Sequence, residues 1–254
     1  MLLLDAGNTN IGCGESEAGV LGRIRDLPPR NRERSLGAMI RRQKDRRVLF
    51  ASVVPEAGRM IRRLCSECGC LPLECGREVR IPVVNRYRRP CEVGQDRLLN
   101  VYAVNRLYPE SDIRLVVDLG TALTFDFITR RGAYNGGLIF PGMKTALDAL
   151  LVRCALLPKN LKLAPTRTLY AKSTREGIVN GIDYGYTFLV AGLIAHLRRK
   201  DPGLKVLVTG GGAGLLVKSL CRFDHYDEHL SLRGLNELAR EVAAGTIIPE
   251  GGTR

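Results

Sequence analysis

The sequence has no tryptophan and few rings of any kind: six phenylalanines and eight tyrosines, with aromatic residues making up 6% of 254 positions. So sparse a set of rings does not interleave with cations into the stacking surface of a single-strand nucleic-acid binder. Histidine is scarcer still, at three, and His196, His225 and His229 stand without sequence partners for a metal or a catalytic pair. No Gly-x-x-x-x-Gly-Lys-Ser/Thr occurs, which excludes a Walker-type phosphate loop. No uninterrupted apolar run reaches roughly the 18–20 residues that cross a bilayer. Met1-Leu2-Leu3-Leu4 is cut by Asp5 and lacks the basic start of a signal peptide. It reads as a strand, and the expectation is a cytoplasmic chain with no membrane association. Low-complexity segments and short tandem repeats are also missing.

Negative charge is in deficit: 26 Asp+Glu face 39 Lys+Arg, a net charge of +13. Such an excess suggests nucleic acid, a membrane surface or a small anion. The cations, mostly arginine, are scattered among expected helices and loops with no basic tail, so nucleic acid is not expected as a partner. With 45% hydrophobic and 26% charged residues, the composition is that of a folded globular protein. The length accommodates one large domain or two of about 120 residues. Eight cysteines in a chain without a secretory signal read as reduced thiols. Four of them, Cys65, Cys68, Cys70 and Cys75, could close a tetrahedral zinc site, but their spacing matches no paired-knuckle pattern and free cysteine is often a small buried hydrophobe.

Hydrophobic patterning places strands at residues 1–6, 20–25, 47–54, 113–118 and 205–208, and helices near residues 32–43, 56–65, 94–106, 145–151, 176–199 and 233–244. The end of the first strand, Asp5-Ala6-Gly7-Asn8-Thr9, is echoed by Asp118-Leu119-Gly120-Thr121 at the end of another. Two such units imply two related halves, 1–112 and 113–254, with the terminal helix packed on the second. Glycine lets backbone N–H groups approach a phosphate closely, and the aspartate organises a cation. One Asp-Gly turn is ordinary turn chemistry. Two at buried strand ends, with a third glycine-rich end at Thr209-Gly210-Gly211-Gly212-Ala213-Gly214, favour a phosphate clamp. Gly94-Gln95-Asp96-Arg97 opens a helix; it is either a plain N-terminus or a carboxylate that accepts a hydroxyl proton beside a guanidinium that holds an anion.

The ordered set resembles type III pantothenate kinases, within the superfamily of acetate and sugar kinases, actin and the heat-shock ATPase chaperones. The elements that carry the resemblance are Asp5-Ala6-Gly7-Asn8-Thr9-Asn10-Ile11, Ala51-Ser52-Val53-Val54-Pro55, Val93-Gly94-Gln95-Asp96-Arg97, Val117-Asp118-Leu119-Gly120-Thr121-Ala122-Leu123-Thr124, Gly136-Gly137-Leu138-Ile139-Phe140-Pro141-Gly142 and Thr209-Gly210-Gly211. The resemblance implies an α/β fold of two ribonuclease-H-like, actin-like ATPase halves with a nucleotide cleft between them. It implies ATP-dependent phosphorylation of pantothenate to 4′-phosphopantothenate, the first step of coenzyme A synthesis. By motif, Asp5, Ala6, Gly7, Asn8, Thr9, Asn10, Ile11 and Gly12 would hold ATP phosphates, with Thr121 also on the nucleotide. Asp96 would be the proton acceptor, and Tyr87, Gly94, Gln95, Asp96, Arg97 and Thr174 would contact pantothenate. Asp118 would ligate a monovalent cation, K+ or NH4+, beside a divalent cation such as Mg2+, in a homodimer. Around Thr174 the family usually has Asn before the threonine and Ser-Gly later, where this chain has Ser173-Thr174 and Asn180-Gly181.

Two other readings stay open at this level. One is a nucleotide-binding regulator of gene expression acting through a partner. The other keeps the phosphotransferase chemistry and changes the acceptor to another small hydroxy acid or a sugar.

Overall fold

The computed structural model describes residues 1–27, 29–166, 168–216 and 223–248. The described residues divide into two compact units: Met1–Pro109 with Arg131–Tyr134 and the C-terminal stretch from Leu230, and Glu110–Arg130 with Asn135–His229.

The first unit is built on β1 (Leu2–Ala6), β2 (Ile11–Glu17), β3 (Val20–Leu21), β4 (Arg25–Leu27), α1 (Arg32–Arg41), β5 (Arg47–Ser52), α2 (Pro55–Glu67), β6 (Leu71–Glu74) and α3 (Gln95–Leu107). Its sheet runs β3-β2-β1-β5-β6, with β4 also on β2. The β1–β2 pair is antiparallel, while β5 lies parallel to β1 and β6 parallel to β5. Covered on both faces, β1 is apolar at nearly every position, as a central strand requires. Leu2, Leu4 and Ala6 share a buried cluster with Leu36 and Ile40 of α1 and Ile61 and Leu64 of α2. Pro55 at the first turn of α2 sets φ where a missing N–H costs nothing. The eight consecutive residues Arg97 to Val104 of α3 are all buried, so this helix is sandwiched rather than amphipathic.

The second unit holds β7 (Ile113–Leu119), β8 (Ala122–Ile128), β9 (Tyr134–Pro141), α4 (Met143–Arg153), α5 (Thr174–Lys200), β10 (Lys205–Thr209), α6 (Ala213–Leu216) and β11 (His225–Tyr226). The order is β11-β10-β7-β8-β9, with β7–β8 antiparallel and β10 and β11 parallel. The first sheet is thus repeated: a hairpin ending in an aspartate, with two parallel strands beside its first arm. Asp5 pairs with Gly12 and Ala51, and Asp118 pairs with Thr124 and Thr209. Leu115, Val117 and Leu119 pack with Val190 and Ile194 of α5 and Met143 of α4.

Helix α5 starts at an N-cap, Ser173 Oγ accepting from Glu176 N–H at 3.2 Å, and the Glu176 carboxylate accepts in turn from Lys172 N–H at 2.9 Å. By length and composition alone it is apolar enough to cross a membrane, at mean hydropathy 1.4. It nevertheless carries Asp183, which accepts from Thr166 N–H at 2.9 Å and Thr166 Oγ at 2.8 Å, and Asn180, which donates to the Thr168 carbonyl at 2.7 Å. Both side chains are buried by the protein's own 160s segment.

Two expectations are corrected. The strand anticipated at residues 20–25 is the pair of short strands β3 and β4, and the principal strand of that region is β2. The last helix, α7 (Leu230–Ala243), belongs to the first unit and not to the second half. It packs against α3 and β1, and a Cβ on its Gly234 would come within 2.8 Å of Ala103 and 3.1 Å of the Leu99 carbonyl. Glycine is what lets the two helix backbones approach.

Candidate active site

In the first unit, the stretch expected as one phosphate turn is two strand ends and a short tip. Asp5, Ala6, Ile11 and Gly12 are in strand register, Ala6 opposite Ile11. Gly7 N–H donates to the Asn10 carbonyl at 3.1 Å, and Asn8, Thr9 and Asn10 are exposed. Behind the tip lies the Asp5 carboxylate, which accepts a hydrogen bond from Ser231 Oγ at 2.5 Å. Burial pushes Asp5 up from its ordinary 3.8 to about 6; the Ser231 hydrogen bond opposes the rise, and the charges of Asp96 and Asp26 add to it.

Asp96 shares this environment from the first turn of α3. Gly94 is the N-cap, and a Cβ there would collide with Asp96 Oδ1. Glycine therefore leaves room for the carboxylate to fold back onto the helix start, where Oδ1 accepts from Arg97 N–H at 2.8 Å. Burial raises the Asp96 pKa, while that N–H and the Arg97 charge pull it down. The result is a basic, positioned carboxylate near a second one. Gln95 fills the space over Gly76, whose φ is +83°. Arg97 is buried, with its guanidinium carbon 5.5 Å from the centroid of the Tyr134 ring, and Tyr87 lies 6.2 Å from the same ring. Asp5, Gly94, Gln95, Asp96, Arg97 and Tyr87 all fall in this unit.

In the second unit, Asp118 ends β7 against the glycine-rich turn that follows β10. Gly210, at φ +94°, would carry a Cβ against Asp118 Oδ1 and within 2.8 Å of Leu119 N, and Gly212 N–H donates to the Leu119 carbonyl at 2.8 Å. Gly142 plays the same part from the other side: its N–H donates to the Thr121 carbonyl at 2.9 Å, and a Cβ would sit 2.6 Å from that oxygen. Three backbones thus pack closely at Asp118 and Thr121 with no side chain between them, an approach that glycine permits. Thr121 is exposed. Thr174, the first residue of α5, is also exposed and lies in this second unit.

A family model for type III pantothenate kinase matches residues 1–196. The chain belongs to the type III pantothenate kinase family. Membership makes it an ATP-dependent kinase. It is 39% identical over 243 residues to a type III pantothenate kinase of Desulfovibrio desulfuricans, covering 94% of this chain and 87% of that one. With a type III pantothenate kinase of Nitratidesulfovibrio vulgaris it shares 34% over 255 residues, covering 95% and 97%. Among solved structures it is similar to a Campylobacter jejuni chain described as a Baf family transcriptional activator, at TM-score 0.60 and 20% identity over 96% of this chain and 100% of that one. It is also similar to the activator of 2-hydroxyisocaproyl-CoA dehydratase from Clostridium difficile with bound ADPNP, at TM-score 0.51 and 11% identity over 97% of each. These structural likenesses are of fold, the two-sheet actin-like ATPase architecture.

Two residues of this family member escape a reading by motif. Ser231 belongs to a helix that patterning assigns to the other half, and Tyr134 lies in a turn-like stretch with no motif of its own. The cysteine quartet forms no metal centre: among the described residues no group of three or more Cys, His, Asp or Glu could hold a metal ion. Burial pushes the Cys65 thiol up to about 12, and Cys75 is driven up as well. These thiols pack as small hydrophobes beside β6.

Proposed function

We propose that this kinase transfers the γ-phosphoryl group of ATP to the primary hydroxyl of pantothenate, with Asp96 as the proton acceptor. The single observation that carries the reading is the Gly94–Asp96 arrangement: a carboxylate made more basic by burial, held by the Arg97 N–H at a helix start where glycine clears space for it. Phosphoryl transfer asks a protein to position and to neutralise charge more than to form covalent bonds. Asp96 orients the acceptor hydroxyl and takes its proton as the phosphorus–oxygen bond forms. The Asp5–Gly12 strand ends and tip hold the ATP phosphates through exposed amide and hydroxyl donors; Thr121 of the second unit is a nucleotide contact on the family resemblance alone. Gly94, Gln95, Arg97 and Tyr87 of the first unit line the acceptor, Arg97 pairing with its carboxylate; Thr174 of the second unit is an acceptor contact on the family resemblance alone.

The donor set fits a hard divalent cation. Asp5 and Asp96 are neighbouring oxygen donors whose ionisation is penalised by burial and, at Asp5, by the charge of Asp96, a cost that bound cation charge offsets. Asp5 would hold such an ion through water, and the ion would supply the positive charge that screens the phosphates. Asp118, an oxygen donor among backbone groups, would take K+ or NH4+. Homodimer formation fits the apolar exposure of α5, where Phe188 is 64% exposed and stacks with Tyr184 at 6.0 Å. Patches of this kind mark association.

The test is pantothenate-dependent ADP formation with Mg2+ and K+, the product identified by mass, in wild type and Asp96→Asn. The expected result is turnover in the wild type and a loss in kcat of about 100-fold or more in the variant with ATP binding retained. No turnover by the folded wild type, or a normal kcat in Asp96→Asn, refutes the reading.

A further inference from the structure

Arg97 and Tyr87 come from separate stretches of sequence and are brought together by a third residue that no motif contains. Tyr134 is fully buried. Its ring meets the Arg97 guanidinium at 5.5 Å and the Tyr87 ring at 6.2 Å with planes inclined at 38°. Both separations lie within the ranges for a cation over a ring and for a tilted ring pair. The backbone of Tyr134 is fixed to the segment that carries Tyr87: its N–H donates to the Val84 carbonyl at 2.9 Å, and its carbonyl accepts from Arg86 N–H at 3.0 Å. Asn85 then donates to the Pro90 carbonyl at 3.2 Å and accepts from Tyr87 N–H at 3.0 Å, shaping the turn. On the α3 side, Asn105 donates to the Gly132 carbonyl at 2.8 Å, tying the turn before Tyr134 to the helix that bears Arg97. Residues 131–134 accordingly group with the first unit, although β8 and the rest of β9 belong to the second.

We propose that Tyr134 is a positioning residue that sets specificity for a carboxylate-bearing acceptor, by holding the Arg97 guanidinium over its ring and Tyr87 against it. A ring beneath a buried guanidinium restricts the plane in which its fork is presented, the requirement for bidentate recognition of a carboxylate. The proposal rests on the reading of Arg97 as the partner of the substrate carboxylate.

The test compares Tyr134→Phe, Tyr134→Met, Arg97→Ala and the double variant Arg97→Ala/Tyr134→Met, each with pantothenate and with its uncharged primary amide. Tyr134→Phe keeps the ring and should stay within about twofold of wild type, while Tyr134→Met should raise KM for pantothenate about 10-fold. KM for ATP should be unchanged and the amide's KM little affected. In the double variant, loss of the ring should add little to loss of Arg97. Should the methionine variant fail to fold, a ring-fluorinated phenylalanine at position 134 keeps the volume and removes the attraction, with the same expected effect on KM. Equal losses with pantothenate and the amide, or additive losses in the double variant, overturn the proposal alone. An unchanged KM for pantothenate in Arg97→Ala overturns it together with the assignment of Arg97.

Discussion

Ser231 donates its hydroxyl to the Asp5 carboxylate at 2.5 Å across 226 positions of sequence. The hydrogen bond joins the first turn of α7 to the end of β1, so the C-terminal helix takes part in shaping that end of the first sheet. Neither neighbour of Ser231 competes for this role: Leu230 and Leu232 are buried in the core, and Leu232 lies over Gly12, 3.1 Å from where a Cβ would be.

Removing the hydroxyl leaves a desolvated carboxylate with one donor fewer. Ser231→Ala should lower kcat/KM for ATP about 10-fold, the scale of a hydrogen bond to a charged group, with KM for pantothenate nearly constant. Ser231→Thr should restore most of the loss. Steady-state kinetics with each substrate varied in turn would show it, and an equal effect of alanine and threonine would count against a role for the hydroxyl.

The raised Asp5 pKa carries a signed consequence for stability. The unfolded chain has the ordinary 3.8 and the folded protein about 6, so the folded state binds the proton more tightly. The associated stability is fully present below pH ~4 and is lost as pH rises through about 6, by up to about 3 kcal/mol, reduced by the solvent contact that Asp5 keeps. Urea unfolding of ligand-free protein across this range, with Asp5→Asn alongside, measures it. The variant should lack this component, and an identical pH slope in both proteins would remove Asp5 as its source.

Gly210 cannot be replaced without moving Asp118 or Leu119. Gly210→Ala combines a positive φ with contact against backbone and should cost roughly 2 kcal/mol or more in stability. It should also weaken nucleotide binding, since the glycine-rich turn and the Asp118 turn shift together. Thermal melts and calorimetry with ADP test both, and unchanged values in both would show that the packing tolerates the methyl group.

If α5 carries the dimer contact, Phe188→Asp should yield a monomer by light scattering, because a charge at a buried contact costs several kcal/mol. A dimer that persists in this variant would place the contact elsewhere.

Much of this architecture was legible in the residues. Apolar runs ending in Asp5 and Asp118 marked the two central strands, because a strand covered on both faces is apolar throughout and a polar residue emerges only at its end. The repeated Asp-x-Gly marked the duplication that the sheets display in their shared hairpin-plus-parallel-strand pairing. Strand β2 was hidden by Gly12 and Gly14, residues that disfavour strands. They are glycine because Leu232 packs over one, and a Cβ on the other would come within 2.8 Å of Leu21. That reason does not exist until the chain is folded.

The sequence by itself determined the local parts: the central apolar strands and most of the helices, where the aspartates and glycines cluster, and the family to which the order of motifs points. Those follow from interactions within a few residues, which a linear pattern records. Only the tertiary structure decided that α7 packs on the first sheet and delivers Ser231 to Asp5, and that Tyr134 joins Arg97 to Tyr87. An amphipathic helix has an apolar face that many sheets would satisfy, and a buried tyrosine has many possible neighbours. The choice among them is made by close packing between distant segments, at distances that no sequence spacing encodes.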